Sequence, residues 1–301
     1  MTVLDDVAAV VKDVSARVGP SVVSVGRAGC GVVIGPSLVA TNAHNVRSEE
    51  VDVRFSDGRT ATGHLAAADV DADLAVISVD TAEAPQVEWA SDVPPVGTVV
   101  AALANPHGSG LRVTIGTVSS VDREFRGPRG RRIPGSVEHT APLARGSSGG
   151  PLVDATGRVV ALNTHRLGEG FYAGLPADES FVSRLSALAR GEAPQRVRLG
   201  IAIAPTHVAR RLRAAVGLEP REGLLVRGVE SGGPADRAGI RKGDLIVSVG
   251  GSNVTSHDVL SEAVDAAGAS GSVELGVVRG TEELSIVVGL GTETAGQEGT
   301  A

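Results

Sequence analysis

The run Gly146-Ser147-Ser148-Gly149-Gly150-Pro151 is the most informative stretch of this sequence. It could carry a catalytic serine, and such a serine works only on a scaffold that brings other side chains to it. A serine hydroxyl becomes a nucleophile only when a base takes its proton, and the oxyanion that then forms needs hydrogen-bond donors. Gly146 lets the backbone turn so that its N–H and that of Ser148 can point to one spot. Pro151 and a strand follow, which argues against the strand-turn-helix of an esterase nucleophile. Taken alone, the run could also be an ordinary hairpin loop.

Two side chains elsewhere in the chain could activate Ser148. His44 directly follows an apolar strand, at a strand-to-loop exit where a rigid barrel usually carries catalytic side chains. Asp73 immediately precedes the strand Leu74-Ala-Val-Ile77, which would anchor its carboxylate inward, although a strand-start residue could also bond local backbone. The order His, Asp, Ser is the chymotrypsin order among several unrelated triads. We therefore predict that Ser148 attacks, His44 carries the proton and Asp73 fixes the imidazole tautomer.

The spacing of apolar runs predicts two different kinds of architecture along the chain. From Pro20 to about Pro176, short Val-rich runs alternate with Gly, Pro, Asn and Asp, a pattern typical of an antiparallel barrel or sandwich. A helix is predicted from Asp178 to Arg190. Beyond it strands and helices alternate, with helices at Pro234 to Ala238 and Asp258 to Ala267. We expect a mainly β protein with a small α/β second domain.

The predicted boundaries divide the chain into five segments. Valines at helix-like spacing predict an N-terminal helical segment over residues 1–18, before a first domain over 19–190. A stretch containing Gly and Pro at 191–197 is typical of a linker, and 198–290 then forms the second domain. The polar, small-residue tail 291–301 is predicted to be disordered.

The bulk composition excludes several classes of function. A formal net charge of -7 gives no electrostatic reason to expect a nucleic-acid partner. Cys30 is the only cysteine, so an intrachain disulfide and a cysteine-based zinc site are excluded, and we expect no metal and no cofactor. One basic cluster is better explained as a solvated loop than as a binding patch; it comprises Arg126, Arg129, Arg131 and Arg132.

Hydropathy along the chain bears on the compartment. No apolar run approaches the roughly 18 to 20 residues that span a bilayer, so no transmembrane segment is expected. Acidic residues and Lys12 interrupt any apolar leader in the first 18 residues. We therefore expect a cytoplasmic protein as the sequence is written, although a chain trimmed of an export signal would look the same.

Five short motifs lie along the chain in a fixed order. They are Gly19-Pro-Ser-Val-Val-Ser-Val25, Thr41-Asn-Ala-His44, Asp73-Leu-Ala-Val-Ile77, Asn105-Pro-His-Gly108 and Gly146-Ser-Ser-Gly-Gly-Pro-Leu152. This order resembles that of the HtrA/Deg serine proteases, over about residues 18 to 290. The resemblance implies a trypsin-like double β-barrel followed by a PDZ domain, with Gly146 and Ser148 forming the oxyanion hole. It also implies ATP-independent cleavage of unfolded or damaged proteins in quality control and stress response, and assembly into homotrimers.

The loop before Ser148 departs from the family pattern. The family usually has Asp-Ala-Ala-Ile-Asn-Pro-Gly-Asn, where this chain has Thr140-Ala-Pro-Leu-Ala-Arg-Gly-Ser147. Arg145 replaces a rigidifying proline, and Ser147 replaces an amide that could brace the loop. Family members switch this loop between active and inactive forms. A second hypothesis is therefore a peptide-binding, chaperone-like or sensor protein whose protease domain rests inactive.

The resemblance also implies where substrates bind. The strand Leu162-Asn-Thr-His165 is expected to line the specificity pocket, which makes Asn163, Thr164 and His165 the candidate substrate-binding residues. The family usually has a smaller, less polar residue where His165 stands, and it favours small aliphatic residues before the scissile bond.

The second domain carries a candidate peptide site. Arg198-Leu-Gly-Ile201 resembles the X-Φ-Gly-Φ loop that holds a peptide's C-terminal carboxylate in PDZ domains, and a buried strand start would explain it almost as well. Its candidate peptide-binding residues are Leu199, Gly200 and Ile201. The run from Ser231 to Ile246 closely resembles the signature of bacterial PDZ domains. The sequence therefore predicts a serine endopeptidase acting through an acyl-enzyme on Ser148, with PDZ-mediated substrate capture or regulation.

Overall fold

The computed structural model describes residues 2–126, 132–194, 196–268, 271–290 and 292–293, with the backbone alone at 126, 132, 134, 196, 197, 292 and 293. Contacts divide the chain into two units, Met1–Pro194 and Gln195–Ala301. The division falls inside the stretch 191–197, where the sequence places a linker. The side chains of the basic cluster between 126 and 132 lie outside the described residues.

Six antiparallel strands close the first barrel of unit one, in the order β1-β2-β3-β6-β5-β4. They are β1 (Val22–Val25), β2 (Gly29–Gly35), β3 (Leu38–Thr41), β4 (Glu50–Arg54), β5 (Thr60–Asp69) and β6 (Leu74–Ser78). Their inner faces are filled by β-branched side chains such as Val23, Val39 and Ile77, which suit a pleated surface buried on one side.

A second closed barrel has the order β10-β11-β12-β9-β8-β7. Its strands are β7 (Val99–Ala104), β8 (Arg112–Arg126), β9 (Arg132–His139), β10 (Pro151–Val153), β11 (Val159–Gly168) and β12 (Phe171–Pro176). One hydrophobic cluster joins residues of both barrels, among them Val32 and Leu162, and so fixes the two barrels against each other. Loops at this junction can therefore combine side chains from both halves.

Two helices complete unit one. Helix α1 (Val3–Val18) begins at a capping box between Thr2 and Asp5, and its buried Val14 and Val18 join the core that the barrels share. Helix α2 (Glu179–Ala189) is capped by the Asp178 side chain and buries three apolar residues in the same core. The predicted N-terminal helical segment is thus packed into the same unit as the barrels.

Unit two is a small α/β fold around a single antiparallel sheet. Its sheet consists of β14 (Ile201–Ala204), β15 (Leu224–Val229), β16 (Leu245–Val249), β17 (Ser252–Asn253), β18 (Ser272–Arg279) and β19 (Glu282–Gly289). The helices are α3 (Thr206–Ala215), α4 (Pro234–Arg237) and α5 (His257–Ala267). A two-stranded ladder pairs β13 (Arg196–Val197) with β20 (Thr292–Glu293). The predicted fold class, a mainly β double barrel followed by a small α/β domain, is confirmed.

The sequence also led to expectations for the C-terminal tail and for membrane-spanning helices. Within the predicted disordered tail 291–301, the backbone of β20 forms a strand, and the other tail residues lie outside the described part of the chain. Among the described residues, no helix is both long and apolar enough to cross a bilayer.

Candidate active site

Three loops of unit one bring His44, Asp73 and Ser148 to the junction of the two barrels. His44 lies in a single 3-10 turn, Ala43–Asn45, directly after β3. Asp73 precedes β6 and has a positive φ of 55°, in the left-handed region that a non-glycine residue adopts only when its surroundings hold it. Ser148 lies in the turn before β10. His44 and Asp73 are about 30 positions apart in the sequence, and Asp73 and Ser148 are about 75 apart. The fold brings the loops that carry them together where the two barrels meet.

The His44 imidazole is oriented by Asp73. Its Nδ1 lies 2.9 Å from both Asp73 carboxylate oxygens, and the His44 backbone N–H donates to Oδ1 at 3.1 Å. A carboxylate only accepts hydrogen bonds, so Nδ1 carries the ring proton and Nε2 presents its lone pair. Asp73 is 1% exposed, and the Asn42 side-chain amide donates to its backbone oxygen at 3.0 Å. This geometry makes Nε2 a base in a fixed orientation.

Thr164 connects the acid to the candidate nucleophile. Its hydroxyl donates to Asp73 Oδ2 at 2.6 Å, and its backbone oxygen accepts the Ser148 hydroxyl at 2.8 Å. The described hydrogen bond of the Ser148 hydroxyl is this one, and not a bond to His44. This hydrogen bond must therefore break before the serine can give its proton to the imidazole.

The Ser148 turn is held from the first barrel through its backbone. The Cys30 N–H donates to the Ser148 carbonyl oxygen at 2.7 Å, and the Asn45 side-chain amide donates to the same oxygen at 2.9 Å. Gly149 has a φ of +89°, and a Cβ atom there would lie 2.0 Å from the Cys30 carbonyl oxygen. Only glycine fits at this position, which explains the first glycine after the serine.

The predicted oxyanion donors are free within the described residues. Gly146 has a φ of +85°, and neither its N–H nor that of Ser148 donates to an acceptor in this part of the structure. The Cys30 thiol donates to the Gly146 carbonyl oxygen at 3.1 Å and accepts from the Asn105 N–H at 3.2 Å. Burial raises the pKa of the Cys30 thiol to about 12, so it remains a protonated donor beneath this loop.

The predicted pocket residues lie at the site in different roles. The Asn163 side chain is buried and donates to the Gly150 carbonyl oxygen at 2.9 Å, while its Oδ1 lies 2.9 Å from Nε2 of the buried His139. The hydroxyl of Thr164 is used by the acid. His165 is half-buried, with its ring centroid 6.0 Å from that of Phe125. Their assignment as substrate-binding residues stays a prediction.

Several residues of the site carry no sequence signal for this role. The Arg166 guanidinium donates to the Leu143 carbonyl oxygen at 3.2 Å and to the Tyr172 hydroxyl at 3.1 Å, which ties β11 to the loop before the serine. Neither Arg166 nor Tyr172 belongs to a motif, and no spacing rule connects them. Among the described residues, no group of His, Cys, Asp and Glu side chains could hold a metal ion.

The candidate peptide loop of unit two has a turn with free donors. Gly200 has a φ of +71°, and within the described residues the N–H groups of Leu199 and Gly200 donate no hydrogen bond. The Leu199 side chain is buried in the core of the unit, whereas Ile201 is half-buried at the start of β14. Strand β14 lies at one end of the sheet order, so its outer edge can accept an added strand.

Both units of the chain match known protein families. A trypsin-like peptidase domain matches residues 29–162, and a PDZ domain matches residues 225–279. The HtrA-type protease AlgW, solved with a decapeptide, has the same fold, with a TM-score of 0.67 at 21% identity over 95% of this chain and 99% of that one. The double barrel with its His, Asp and Ser and the PDZ sheet therefore define the class of PDZ-containing, trypsin-like serine proteases.

Curated relatives narrow this class to one family. The putative serine protease HhoA of Synechocystis sp. is 32% identical over 281 residues, covering 86% of this chain and 69% of the relative. A probable periplasmic serine endoprotease, DegP-like, of Halomonas elongata is 31% identical over 279 residues, covering 90% of this chain and 58% of the relative. The chain belongs to the HtrA/Deg family of serine proteases. It spans about three fifths of the length of the Halomonas relative.

The expectation of a cytoplasmic protein is wrong. The relatives from Halomonas elongata and Rickettsia prowazekii are named periplasmic endoproteases, and so is DegQ of Escherichia coli, which points to an exported protein. The expectation was based on the charged residues of the first 18 positions. Those residues form α1, which packs into the core of unit one, so their charge pattern reflects folding and says nothing about the compartment.

Proposed function

We propose that this protein is a serine endopeptidase that cleaves unfolded or damaged polypeptides through an acyl-enzyme on Ser148. The observation that supports this most directly is the continuous hydrogen-bonded connection from His44 through Asp73 and Thr164 to the Ser148 hydroxyl. In this proposal His44 is the base, Asp73 the orienting acid and Ser148 the nucleophile, and the three lie on separate loops of one double barrel. The family of the chain, whose named relatives are serine endoproteases, agrees with this chemistry.

The first chemical step requires the serine to leave Thr164. Once released from Thr164, the Ser148 hydroxyl attacks the scissile carbonyl carbon while His44 Nε2 takes its proton. Asp73, held by the His44 backbone and the Thr164 hydroxyl, keeps the ring in one tautomer and stabilises the imidazolium. The imidazolium then gives its proton to the leaving amine, and water hydrolyses the acyl-enzyme by the same route.

The free N–H groups of Gly146 and Ser148 would bind the oxyanion of the tetrahedral intermediate. Removing one such donor typically lowers turnover by about 10² to 10³. Cys30 supports this loop, because its thiol donates a hydrogen bond to the Gly146 carbonyl oxygen. The departures at Arg145 and Ser147 change the loop's sequence but leave these two donors unpaired within the described residues.

Labelling with a fluorophosphonate probe tests the proposal directly. We expect the wild-type protein to be labelled at Ser148, and the Ser148→Ala variant to lose both labelling and casein hydrolysis. Loss of the nucleophile in such triads lowers turnover by about 10⁶. Casein hydrolysis by the Ser148→Ala variant at the wild-type rate would show that the nucleophile is misassigned.

The PDZ domain is proposed to bind C-terminal peptides at Leu199, Gly200 and Ile201. The free N–H groups of that loop and the open edge of β14 support a bound carboxylate with an added strand. Such binding would capture substrates or regulate the protease domain. We expect a free-acid peptide to bind the protein and its C-terminal amide to bind much more weakly, as measured by fluorescence polarisation.

Assembly into homotrimers is a further part of the proposal, carried by the family. The chain has a mass of 30.4 kDa, so light scattering should give roughly 91 kDa for a trimer with closed symmetry.

The alternative, a peptide-binding chaperone-like or sensor protein with an inactive protease domain, is supported by one feature. The Ser148 hydroxyl is hydrogen-bonded to Thr164 and not to the base. The endoprotease names of the relatives do not favour it. It predicts no labelling of Ser148, whether or not a PDZ-binding peptide is present.

A further inference from the structure

The guanidinium of Arg166 is held by two hydrogen bonds and has no carboxylate partner among the described residues. Its Nη2 donates to the Leu143 carbonyl oxygen at 3.2 Å and to the Tyr172 hydroxyl at 3.1 Å, and its Cζ lies 5.4 Å from the Tyr172 ring centroid. Tyr172 is buried and stacks on the buried His139, so it is a rigid support. A carbonyl and a phenol position the guanidinium, but neither neutralises its charge.

The position of Arg166 relative to Ser148 follows from the chain. Arg166 follows Thr164 by two residues along β11, so the Cα atoms of Thr164 and Arg166 are roughly 7 Å apart. The backbone oxygen of Thr164 accepts the hydrogen bond of the Ser148 hydroxyl. On the other side, its contact Leu143 lies on the loop that leads to the serine. Arg166 therefore joins the two segments that border Ser148. We therefore expect a polypeptide bound at Ser148 to run near this guanidinium.

Arg166 is one of the described arginines that have no carboxylate partner within the described residues. Acidic residues outnumber basic ones, 35 to 28, so carboxylates are abundant. Several exposed arginines are ion-paired, such as Arg158 with Asp154 and Arg190 with Glu192. Neither Arg166 nor Arg145, which precedes Gly146, forms an ion pair with any described carboxylate. The border of the cleft thus carries positive charge on a molecule whose net charge is negative.

The free atoms of Arg166 suit one kind of ligand. Its Nε and Nη1 groups make no hydrogen bond within the described residues, which leaves part of the planar fork unoccupied. A guanidinium fork matches a carboxylate in geometry as well as charge. Trypsin uses the opposite arrangement, where a fixed acidic residue in the pocket selects basic substrate side chains.

We propose that Arg166 is a specificity-determining residue that selects substrates with an aspartate or glutamate at or next to the position before the scissile bond. The proposal rests on the proposed endopeptidase function for turnover, but it also predicts binding in the absence of turnover. It replaces the small aliphatic preference that the family resemblance implies.

Cleavage-site mapping gives the first test. Dephosphorylated β-casein digested by the wild-type protein is expected to show Asp or Glu enriched at those positions, as read by mass spectrometry. Amidated peptides built on one such site, with Glu or Gln at the selected position, then measure the preference. We expect kcat/KM to be about 10-fold to 100-fold higher for the Glu peptide, since hydrogen bonds to charged groups are the strong ones.

Matched variants separate Arg166 from general charge effects. The Arg166→Gln variant should lose the preference for Glu over Gln, and Arg166→Lys, which keeps the charge, should retain part of it. Arg158→Gln removes the same charge just before the other end of β11, roughly 25 Å away, and should leave the preference unchanged. Arg166→Glu should reverse it towards a Lys peptide.

Binding to the Ser148→Ala variant distinguishes this proposal from the proposed function. The peptides are amidated, so they lack the carboxylate that the PDZ loop would bind. The proposal is supported if the Glu peptide binds more tightly than the Gln peptide and this difference disappears when Arg166→Gln is added. This result would support it even if the wild-type protein hydrolyses nothing and Ser148 is not labelled. Equal binding and equal turnover of the two peptides would overturn it, and so would a preference that survives Arg166→Gln.

Discussion

Replacing His139 with glutamine measures what a buried imidazole does to the stability of the protease domain in acid. The ring is 0% exposed, and its Nε2 lies 2.9 Å from Asn163 Oδ1. Its Nδ1 is buried without a hydrogen-bond partner among the described residues. Glutamine can still donate to Asn163, so the variant removes the titrating group and keeps one hydrogen bond.

The expected effect follows from the pKa of His139. Desolvation lowers this pKa from 6.5 to about 4, although the hydrogen bond to Asn163 opposes the shift. Between these values the unfolded chain binds a proton that the folded chain does not, so the free energy of unfolding falls as the pH falls. The full shift is worth about 3 kcal/mol, lost between about pH 6.5 and pH 4.

Urea unfolding at several pH values measures the effect. The only tryptophan, Trp89, packs on Phe181 with ring centroids 5.3 Å apart, so its fluorescence reports on the protease domain. We expect the wild-type stability, relative to His139→Gln, to fall by about 3 kcal/mol from pH 7 to pH 4. A His64→Gln variant, which removes an exposed imidazole from β5, should keep the wild-type pH dependence. If the curves of wild type and His139→Gln run parallel, the buried imidazole is not the cause.

Two further substitutions test contacts on either side of the linker. Thr164→Val removes the hydroxyl that donates to Asp73 but keeps the backbone oxygen that accepts from Ser148. We expect kcat to fall about 10-fold with KM little changed. Thr164→Ser, which keeps a hydroxyl, should have a kcat close to that of the wild type. Equal kcat in the valine variant would contradict a positioning role for this hydroxyl. In the PDZ domain, Arg279→Gln leaves the Asp244 carboxylate, 1% exposed, without its ion-pair partner. The free energy of unfolding of this domain should fall by about 2 to 3 kcal/mol, which is less than for a fully buried pair because the Arg279 side chain is 30% exposed. Hydrogen exchange in β16 and β18 should accelerate accordingly.

The three candidate residues were within reach of sequence reasoning because each of them has a local signature. His44 ends an apolar strand, Asp73 begins one, and Ser148 lies among glycines whose positions the backbone requires. Their meeting point was also predictable, since loops on a rigid double barrel converge at the junction of its halves. The short Val-rich runs predicted an antiparallel barrel or sandwich, and the choice of a double barrel came from the family resemblance.

Contacts between distant residues could not be predicted in this way. The Thr164 hydroxyl reaches Asp73 across 91 positions, and Arg166 reaches Leu143 across a strand and a turn. No periodicity in the sequence encodes such pairs, because they depend on how the two barrels pack. No local pattern around His139 indicates that its imidazole is buried, and only the packing of the fold shows this.

Helix α3 was absent from the predicted elements for a different reason. Its fully buried positions are Ala209 and Arg213, and the larger apolar residues of its inward face, Val208 and Leu212, are only partly buried. The Arg213 guanidinium is instead satisfied by the carbonyl oxygens of Glu219 and Gly280. An arginine that is buried through backbone contacts looks like a surface residue in any hydropathy pattern.

The buried thiol beneath the oxyanion loop gives this protein a built-in reporter. Cys30 is the only cysteine, and its sulfur lies between the Gly146 carbonyl oxygen and the Asn105 N–H. A thiol reagent can reach it only when that region opens, so the rate of modification measures the frequency of opening without any added label. Because Cys30 is the only cysteine, the modification rate reports on this one position, and a peptide that rearranges the loop would change the rate.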